Sequence, residues 1–381
     1  MSADRKVKSR ELGCSRVLVA MSGGVDSSVA AAMLHEDGYD VVGVAMRLAP
    51  DVPSVPVSRA RRGTCCSHDD FEDARRVADR MGFPFYVIDL RADFAARVIA
   101  NFVDEYVAGR TPNPCVMCNR EIKFDRLWSR ARALDADFVA TGHYAQIARD
   151  RDGRYHLRRA ADPLKDQSYF LFTLGQRELA RTLFPLGAMT KAEVRARARA
   201  LGLANADKPE SQEICFVTDG DYASFVERHA GPERLRNGHV VDSKGNALAM
   251  HAGVHRFTIG QRRGLGVAAG EPLYVREIRP ASGEVVIGPR HELSSRGLVA
   301  RDLSLVDRTA FDFDDAGGLP VEVKIRYRHP AVAARLRITG ASRGEIRFDH
   351  RGPAITPGQA CVFYRGDDVV GGGFIERALD A

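Results

Sequence analysis

VLVAMSGGVDSS, residues 17–28, begins as an unbroken apolar run, turns through Gly23 and Gly24, and leads into the alanine-rich stretch that follows. The apolar half reads as a buried strand and the second half as a helix start, so the chain reverses sharply between them. Gly23 and Gly24 allow backbone angles closed to other residues. Several amides can then turn toward one anion, while the helix N-terminus adds partial positive charge. The hydroxyls of Ser22, Ser27 and Ser28 can donate to phosphate oxygens, and the Asp26 carboxylate can hold a magnesium ion that bridges them. An ordinary capped helix after a glycine turn uses the same Asp and Ser residues, so the glycines alone leave both readings open. No Gly-Lys-Ser/Thr follows, which argues against terminal phosphoryl transfer on a Walker loop.

Outward from this junction, strand-like runs at 16–21, 40–48, 85–90 and 138–141 alternate with helical spacing at 28–36, 71–81 and 122–134. That alternation predicts an α/β fold, a doubly wound parallel sheet with helices on both faces. Pro50, Pro53, Pro56 and residues 59–63 lie in an aperiodic loop. Asp152-Gly153 suits the turn of a hairpin over 149–158. Thr190 and Glu193 form a capping box for a helix running to Gly202. From Gly231 onward, short alternating segments such as 321–327 and 335–339, separated by Gly, Pro and Asp, predict β-barrels. The division expected is a flexible tail at 1–15, a catalytic domain at 16–159, a mostly helical central section at 160–230, a small β domain at 231–295 and a β-barrel at 296–381.

The 381 residues exceed one ordinary core. Hydrophobic content of 45% and charged content of 28% fit a globular protein, and no apolar run has membrane-spanning length. The basic N-terminus lacks an apolar region behind it, so a cytoplasmic location is expected. A net charge of +6 favours polyanionic partners. Seven cysteines form an odd set (Cys14, Cys65, Cys66, Cys115, Cys118, Cys215, Cys361), which speaks against a disulfide framework.

Thr111-Pro-Asn-Pro-Cys115-Val-Met-Cys118 precedes a helical run, which puts Cys118 at or near a helix N-terminus, where a thiolate is stabilised. Cys215 lies far along the chain in SQEICF, residues 211–216. The CxxC pair with Cys65-Cys66 could instead hold zinc or an iron–sulfur cluster, a reading disfavoured because no second well-spaced CxxC exists.

The SGGVDSS loop at its strand-to-helix junction resembles that of the N-type ATP pyrophosphatases, which implies transfer of AMP with release of pyrophosphate. SGGVDSS, GRTPNPCVMCNREIKF, ATGHYA, KDQSYFLF, SQEICF and FTIGQRRGLG occur in the same order as in the tRNA-specific 2-thiouridylases, over nearly the whole chain. The resemblance implies ATP-dependent sulfur transfer to C2 of the wobble uridine of tRNA. Its implied partners are ATP with Mg2+, persulfide sulfur from a donor or relay protein or a cysteine desulfurase, and a cellular reductant. By matching position, Cys118 resembles the family's nucleophile and Cys215 its persulfide carrier. Ala20, Met21, Ser22, Gly23, Gly24, Val25, Asp26 and Ser27, with Met46 and Gly142, match nucleotide contacts. Asn113, Pro114 and Cys115 match the segment that meets the target base. His143, Lys165, Asp166, Gln167, Arg326, Tyr327 and Gln359 match tRNA contacts. Many relatives carry an acid where Cys115 stands, so that acid's role does not transfer.

Between residues 321 and 347 seven basic side chains face two acidic ones, and strand alternation puts Lys324, Arg326 and Arg328 on one face and Tyr327 on the other. Such a stripe suits phosphates. Gln261, Arg262 and Arg263 can add backbone contacts. Three rivals remain: another adenylating tRNA enzyme with this loop, a non-catalytic RNA-binding protein with a metal-bound CxxC, and a cluster-dependent thiolase using Cys115, Cys118 and Cys215.

Overall fold

The computed structural model describes residues 15–48, 68–209, 214–217, 220–310 and 317–379. Residues 1–14 of the tail expected at 1–15, the arginine-bearing loop at 59–63, Cys14, Cys65 and Cys66 lie outside them. The chain divides into two compact units, one of Met1–Arg97, Met117–Gly220 and Asp367–Val369, the other of Val98–Val116, Asp221–Gly366 and Val370–Ala381.

In the first unit β1 (Arg16–Ala20), β2 (Asp40–Arg47), β3 (Phe85–Asp89), β4 (Phe138–Thr141) and the two-residue strand Thr182–Leu183 form a parallel sheet. Their order is β3, β2, β1, β4, then Thr182–Leu183. Val17, Leu18 and Val19 are fully buried, because a central parallel strand is covered on both faces and must be apolar throughout. On one face pack α1 (Val25–Glu36), α2 (His68–Met81) and α3 (Lys191–Ala200), burying Val29, Ala30, Ala74, Val77, Val194 and Ala198 against Val17 and Val19. On the other face, Leu127 and Ala131 of the helix Asp125–Ala133 meet Leu18, Val42 and Val139. Each fully buried Val or Leu contributes about 1.5–3 kcal/mol. The expected doubly wound sheet is present.

The chain steps outward from β1 to β2 and β3, then returns to place β4 on the other side of β1. This makes the C-terminal ends of β1 and β4 a topological switch point, the usual ligand crevice of such sheets. The loop before α1 and residues 142–144 both open there.

Some boundaries differ from expectation. The helix expected at 122–134 begins with a π-helical turn, Asn119–Phe124, before the regular segment, a bulge that periodicity cannot reveal. Thr190 and Glu193 do form the capping box, with Glu193 Oε2 accepting from Thr190 N at 2.7 Å, but α3 ends at Ala200 with Gly202 beyond it at φ +62°.

In the second unit, the helices Ala100–Val107 and Tyr222–Ala230 pack through aromatic pairs, Phe102 with Phe225 and Tyr106 with Tyr222. A four-stranded sheet follows, built from Gly238–Val241, Ala247–His251, Leu273–Arg279 and Glu284–Pro289. The strands Ser295–Leu305, Arg343–Gly352, Val332–Gly340, Leu319–Lys324, Ala360–Arg365 and Asp368–Ala378 then close on themselves, since the first also pairs with the last. Closure leaves no unpaired edge, and the core is Val323, Leu336, Ile346, Phe363 and Ile375. Cys361 sits in that core with its thiol pushed up to about 12 by burial, so it is structural.

The strand expected at 321–327 stops at Lys324. His329 N donates to Arg326 O at 3.1 Å, closing a turn over the next residues. Pro330 has no N–H and restricts His329, so the ladder cannot continue there. Lys324 lies 5.6 Å from the Tyr327 ring centroid, so the two are neighbours rather than on opposite faces, and Arg326 and Arg328 belong to the turn. No helix among the described residues is long and apolar enough to cross a membrane.

Candidate active site

The loop after β1 is held from three sides. Gly23 has φ +71°, and a Cβ there would run into the carbonyl of Asp70 on α2, so only glycine fits. Gly24 is the N-cap of α1 and offers no side chain to cap it, which leaves the first amides of the helix without a side-chain partner. Ser27 Oγ accepts from Ser22 N at 3.1 Å, and Ser28 Oγ donates to Gly24 O at 3.0 Å, so the loop keeps its shape from within. Asn205 Nδ2 donates to Gly23 O at 3.0 Å and to Ser28 Oγ at 2.9 Å. Lys208 bridges Asp70 and Asp73 at 2.7 and 2.6 Å and reaches Gly23 O at 3.4 Å. Burial alone would lower the Lys208 pKa, but its bonds to Asp70 and Asp73 outweigh that and raise it. The uncapped amides and the dipole of a 12-residue helix fit a phosphate.

The Asp26 carboxylate, in the first turn of α1, is fully engaged on its own unit. Lys191 Nζ donates to Oδ1 and Oδ2 at 2.7 and 2.8 Å, and Tyr144 OH donates to Oδ1 at 2.8 Å. Gly142, between β4 and Tyr144, lies so close to α1 that a Cβ there would come within 2.7 Å of Ser27 N. Met21 is buried under the loop and Met46, on β2, is half-buried. No group of three or more His, Cys, Asp or Glu side chains able to hold a metal occurs among the described residues.

Residues 165–167 dock beside this centre. Gln167 Oε1 accepts from Tyr144 N at 2.9 Å, and Gln167 N donates to Tyr144 O at 2.8 Å. Asp166 is buried, and its carboxylate accepts from Ala160 N, Ser168 N and Ser168 Oγ. It therefore organises the turn that carries Lys165 and Gln167. His143 stacks on Phe124, meets Phe184 edge-on and shares a 2.7 Å hydrogen bond with Thr141 Oγ1. Burial, and secondarily Lys123, hold its pKa well below the ordinary histidine value, so it is neutral at pH 7.

That depression has a consequence for stability. Below about pH 6.5 the unfolded chain takes up a proton at His143 more readily than the folded chain, so stability falls on acidification, by at most about 1.4 kcal/mol per pH unit from this residue. His143→Gln is expected to show a smaller fall in melting temperature between pH 7 and pH 5 than the parent. Equal falls would remove this role.

Asn113 Oδ1 accepts from Val116 N at 3.3 Å and so caps the helix Pro114–Cys118, with Pro114 at its first position. Cys118 is the fifth and last residue of that helix, one turn in, whereas Cys115 lies in the first turn and is exposed. The helix-terminus argument therefore does not carry over to Cys118. Cys118 is 8% exposed, Cys215 is half-buried, both lie in the first unit, and neither is in a disulfide.

In the second unit Gln359 Nε2 donates to Thr111 O and Pro112 O, both at 3.0 Å, which fixes the approach to Asn113. Thr111 Oγ1 bonds Thr258 Oγ1 at 3.2 Å, and Arg326 donates to Ile259 O at 3.2 Å and to Thr356 Oγ1. Gln359, Arg326 and the 111–115 segment thus share one hydrogen-bonded neighbourhood. Sequence reasoning missed Tyr144, Lys191, Asn205 and Lys208. Only Lys191 left a signal there: a lysine in the first turn of a helix opposes the dipole.

Residues 15–219, 223–289 and 295–375 match families described as "tRNA methyl transferase HUP domain", "tRNA methyl transferase PRC-barrel domain" and "Aminomethyltransferase beta-barrel domain". The chain is 51% identical over 365 residues to the "tRNA-specific 2-thiouridylase MnmA" of Geotalea uraniireducens, covering 96% of each chain. It is 50% identical over 370 residues to the protein of that name from Solibacter usitatus, covering 94% of this chain and 99% of that one. A 4-thiouridine synthetase–RNA complex with bound ATP matches at 18% identity and a TM-score of 0.33, over 57% of this chain and 50% of that one, and is too distant to inform the site. The domain descriptions speak of methyl transfer while the near full-length relatives carry a thiolation name, and identity of about half over almost the whole chain decides between them. The chain belongs to the tRNA-specific 2-thiouridylase family.

Proposed function

We propose that this protein is a tRNA uridine 2-sulfurtransferase that adenylates the C2 oxygen of the wobble uridine and then replaces it with sulfur, converting ATP to AMP and pyrophosphate. The observation that carries the reading is an uncapped phosphate cradle beside a neutralised Asp26, in the same unit as two non-disulfide thiols, Cys118 and Cys215.

The C2 oxygen of uracil is a poor leaving group. With the triphosphate seated on residues 20–27, and with Met46 and Gly142 bordering the nucleotide, the uracil oxygen attacks the α-phosphorus and pyrophosphate departs. The terminal sulfur of a Cys215 persulfide adds at C2 and AMP leaves with the former carbonyl oxygen. The Cys118 thiolate then attacks Cys215 Sγ, which frees the thiocarbonyl base and leaves a Cys118–Cys215 disulfide. A two-electron reductant restores the thiols, and a donor protein or cysteine desulfurase supplies the next sulfur. Asn113, Pro114 and Cys115 border the target base, and His143, Lys165, Gln167, Arg326, Tyr327 and Gln359 contact the tRNA. The test is to incubate the protein with ATP, magnesium, unmodified tRNA and a cysteine desulfurase with cysteine as the persulfide source, in the presence of a thiol reductant, and to seek 2-thiouridine among the digested nucleosides. Its absence with a competent tRNA would overturn the proposal.

Recognition is testable separately. If the Arg326 turn meets a phosphate, Arg326→Ala weakens tRNA binding and flattens log K against log salt by about one unit. Because Arg326 also bonds Ile259 and Thr356, weaker binding with an unchanged slope would mean that it only shapes the turn.

A further inference from the structure

We infer that Lys191 is a phosphate-binding residue of the adenylation site, serving the β- and γ-phosphates of ATP and the pyrophosphate that leaves. This rests on the adenylation reading above and adds a residue to it.

Lys191 is the first residue of α3, and its ammonium does not point into solvent. Its side chain is 12% exposed and grips both oxygens of Asp26, with Nζ also 5.9 Å from the centroid of the Tyr144 ring. Two physical costs attend this placement. A cation in the first turn of a helix opposes that helix's dipole. Ordering a lysine side chain also removes more rotamer freedom than ordering most others.

Those costs make sense at a phosphate site. Asp26 sits in the first turn of α1, beside the amides that an incoming phosphate would use. A lone carboxylate there would repel a triphosphate, whereas an Asp26–Lys191 pair presents no net charge. The four-carbon stem lets Nζ shift from Asp26 toward an oxygen of the bound phosphates without moving α3. Tyr144 OH stays on Asp26 Oδ1 during that shift, so the carboxylate keeps a donor. Lys208, the other lysine near the loop, is bound to Asp70 and Asp73 and joins the loop to α2. The two lysines therefore differ in role: Lys208 maintains the loop, and Lys191 serves what binds on it.

No bond changes at Lys191. As the α–β phosphate bond breaks, charge accumulates on the bridging and β-oxygens, and a nearby ammonium stabilises that charge more than it stabilises the ground state.

The test measures binding of ATP, pyrophosphate and AMP, each with magnesium, to the full chain by titration calorimetry. The proteins are the parent, Lys191→Met, Lys191→Gln and Lys191→Arg. A lost charge-assisted hydrogen bond predicts ATP and pyrophosphate affinities weaker by about 10- to 100-fold in the Met and Gln variants, with AMP affinity within about 2-fold of the parent's. Lys191→Arg keeps a cation on Asp26, and so the fold, and should recover part of the ATP preference over AMP. Equal losses for ATP and AMP would make Lys191 merely structural, and unchanged ATP affinity in a folded Met or Gln variant would remove it from the phosphate site. A parent that binds no ATP would overturn the adenylation reading itself, an outcome distinct from failure of Lys191 alone.

Discussion

Cys118→Ser is expected to load sulfur on Cys215 and then release none of it, while Cys215→Ser should load no transferable sulfur at all. Both variants should form no 2-thiouridine, but for different reasons. A serine hydroxyl cannot carry a persulfide, so Cys215→Ser removes the sulfur-bearing atom. In Cys118→Ser the persulfide forms, and what is missing is the thiolate that resolves the Cys215–S–base linkage. Loading from a cysteine desulfurase supplied with sulfur-labelled cysteine, followed by mass spectrometry of the intact chain, separates the two. Cys118→Ser should retain one additional sulfur, and Cys215→Ser none. Cys115 is exposed in the first helical turn and has no assigned step, so Cys115→Asp should keep activity. Full product formation by Cys118→Ser would end the two-thiol mechanism. Loss of activity in Cys115→Asp would favour a role for all three thiols.

The second large effect is expected at Gly142. Its backbone passes the first turn of α1 closely enough that an added methyl would come within 2.7 Å of Ser27 N and 2.9 Å of the Asp26 carbonyl carbon. These are backbone atoms of the phosphate loop and cannot swing aside as a flexible side chain would. Gly142→Ala must therefore displace the amides on which the phosphates would rest. A misplacement of about 1 Å in a positioning element costs about 100-fold in rate, so ATP–pyrophosphate exchange in the presence of tRNA should fall by at least that factor. The barrel of the second unit has its own core, so tRNA retention on a filter should survive. Exchange at the parent's rate would show that the β4–α1 approach does not govern the cradle.

The architecture was legible in the sequence where local chemistry and packing agree. Val17 to Val19 read as a strand because every residue is apolar, and they are buried on both faces of the sheet. Thr190 and Glu193 read as a helix start because their reciprocal bonds are local. Failures arose where a distant or single residue decides. The turn closed by His329 N on Arg326 O ends the ladder that alternation would have extended through Tyr327. The π turn at Asn119–Phe124 changes no apolar spacing visible over so short a run.

The site divides in the same way. Gly23, Gly24 and Asp26 stand together in one loop and could be read as a unit. Asn205 and Lys208 act on that loop from 182 and 185 residues away, and no local pattern marks them. Asp166 matches a tRNA contact by position, yet it is buried, and its bonds to Ala160 and Ser168 form a pattern that composition does not encode. Lys191 lay inside a motif already explained as a cap, and its conflict with the helix dipole was the remaining clue.

In this mechanism the uridine's own C2 oxygen leaves on AMP, and an isotope follows it. A transcript of the substrate tRNA made with uridine carrying oxygen-18 at C2 is incubated with the protein, ATP, magnesium and a cysteine desulfurase with cysteine as the persulfide source, and both AMP and the digested nucleosides are analysed by mass spectrometry. The expected result is one heavy oxygen in AMP for each 2-thiouridine formed. Formation of 2-thiouridine alongside AMP of natural isotopic composition, or with no AMP at all, would contradict adenylation of that oxygen.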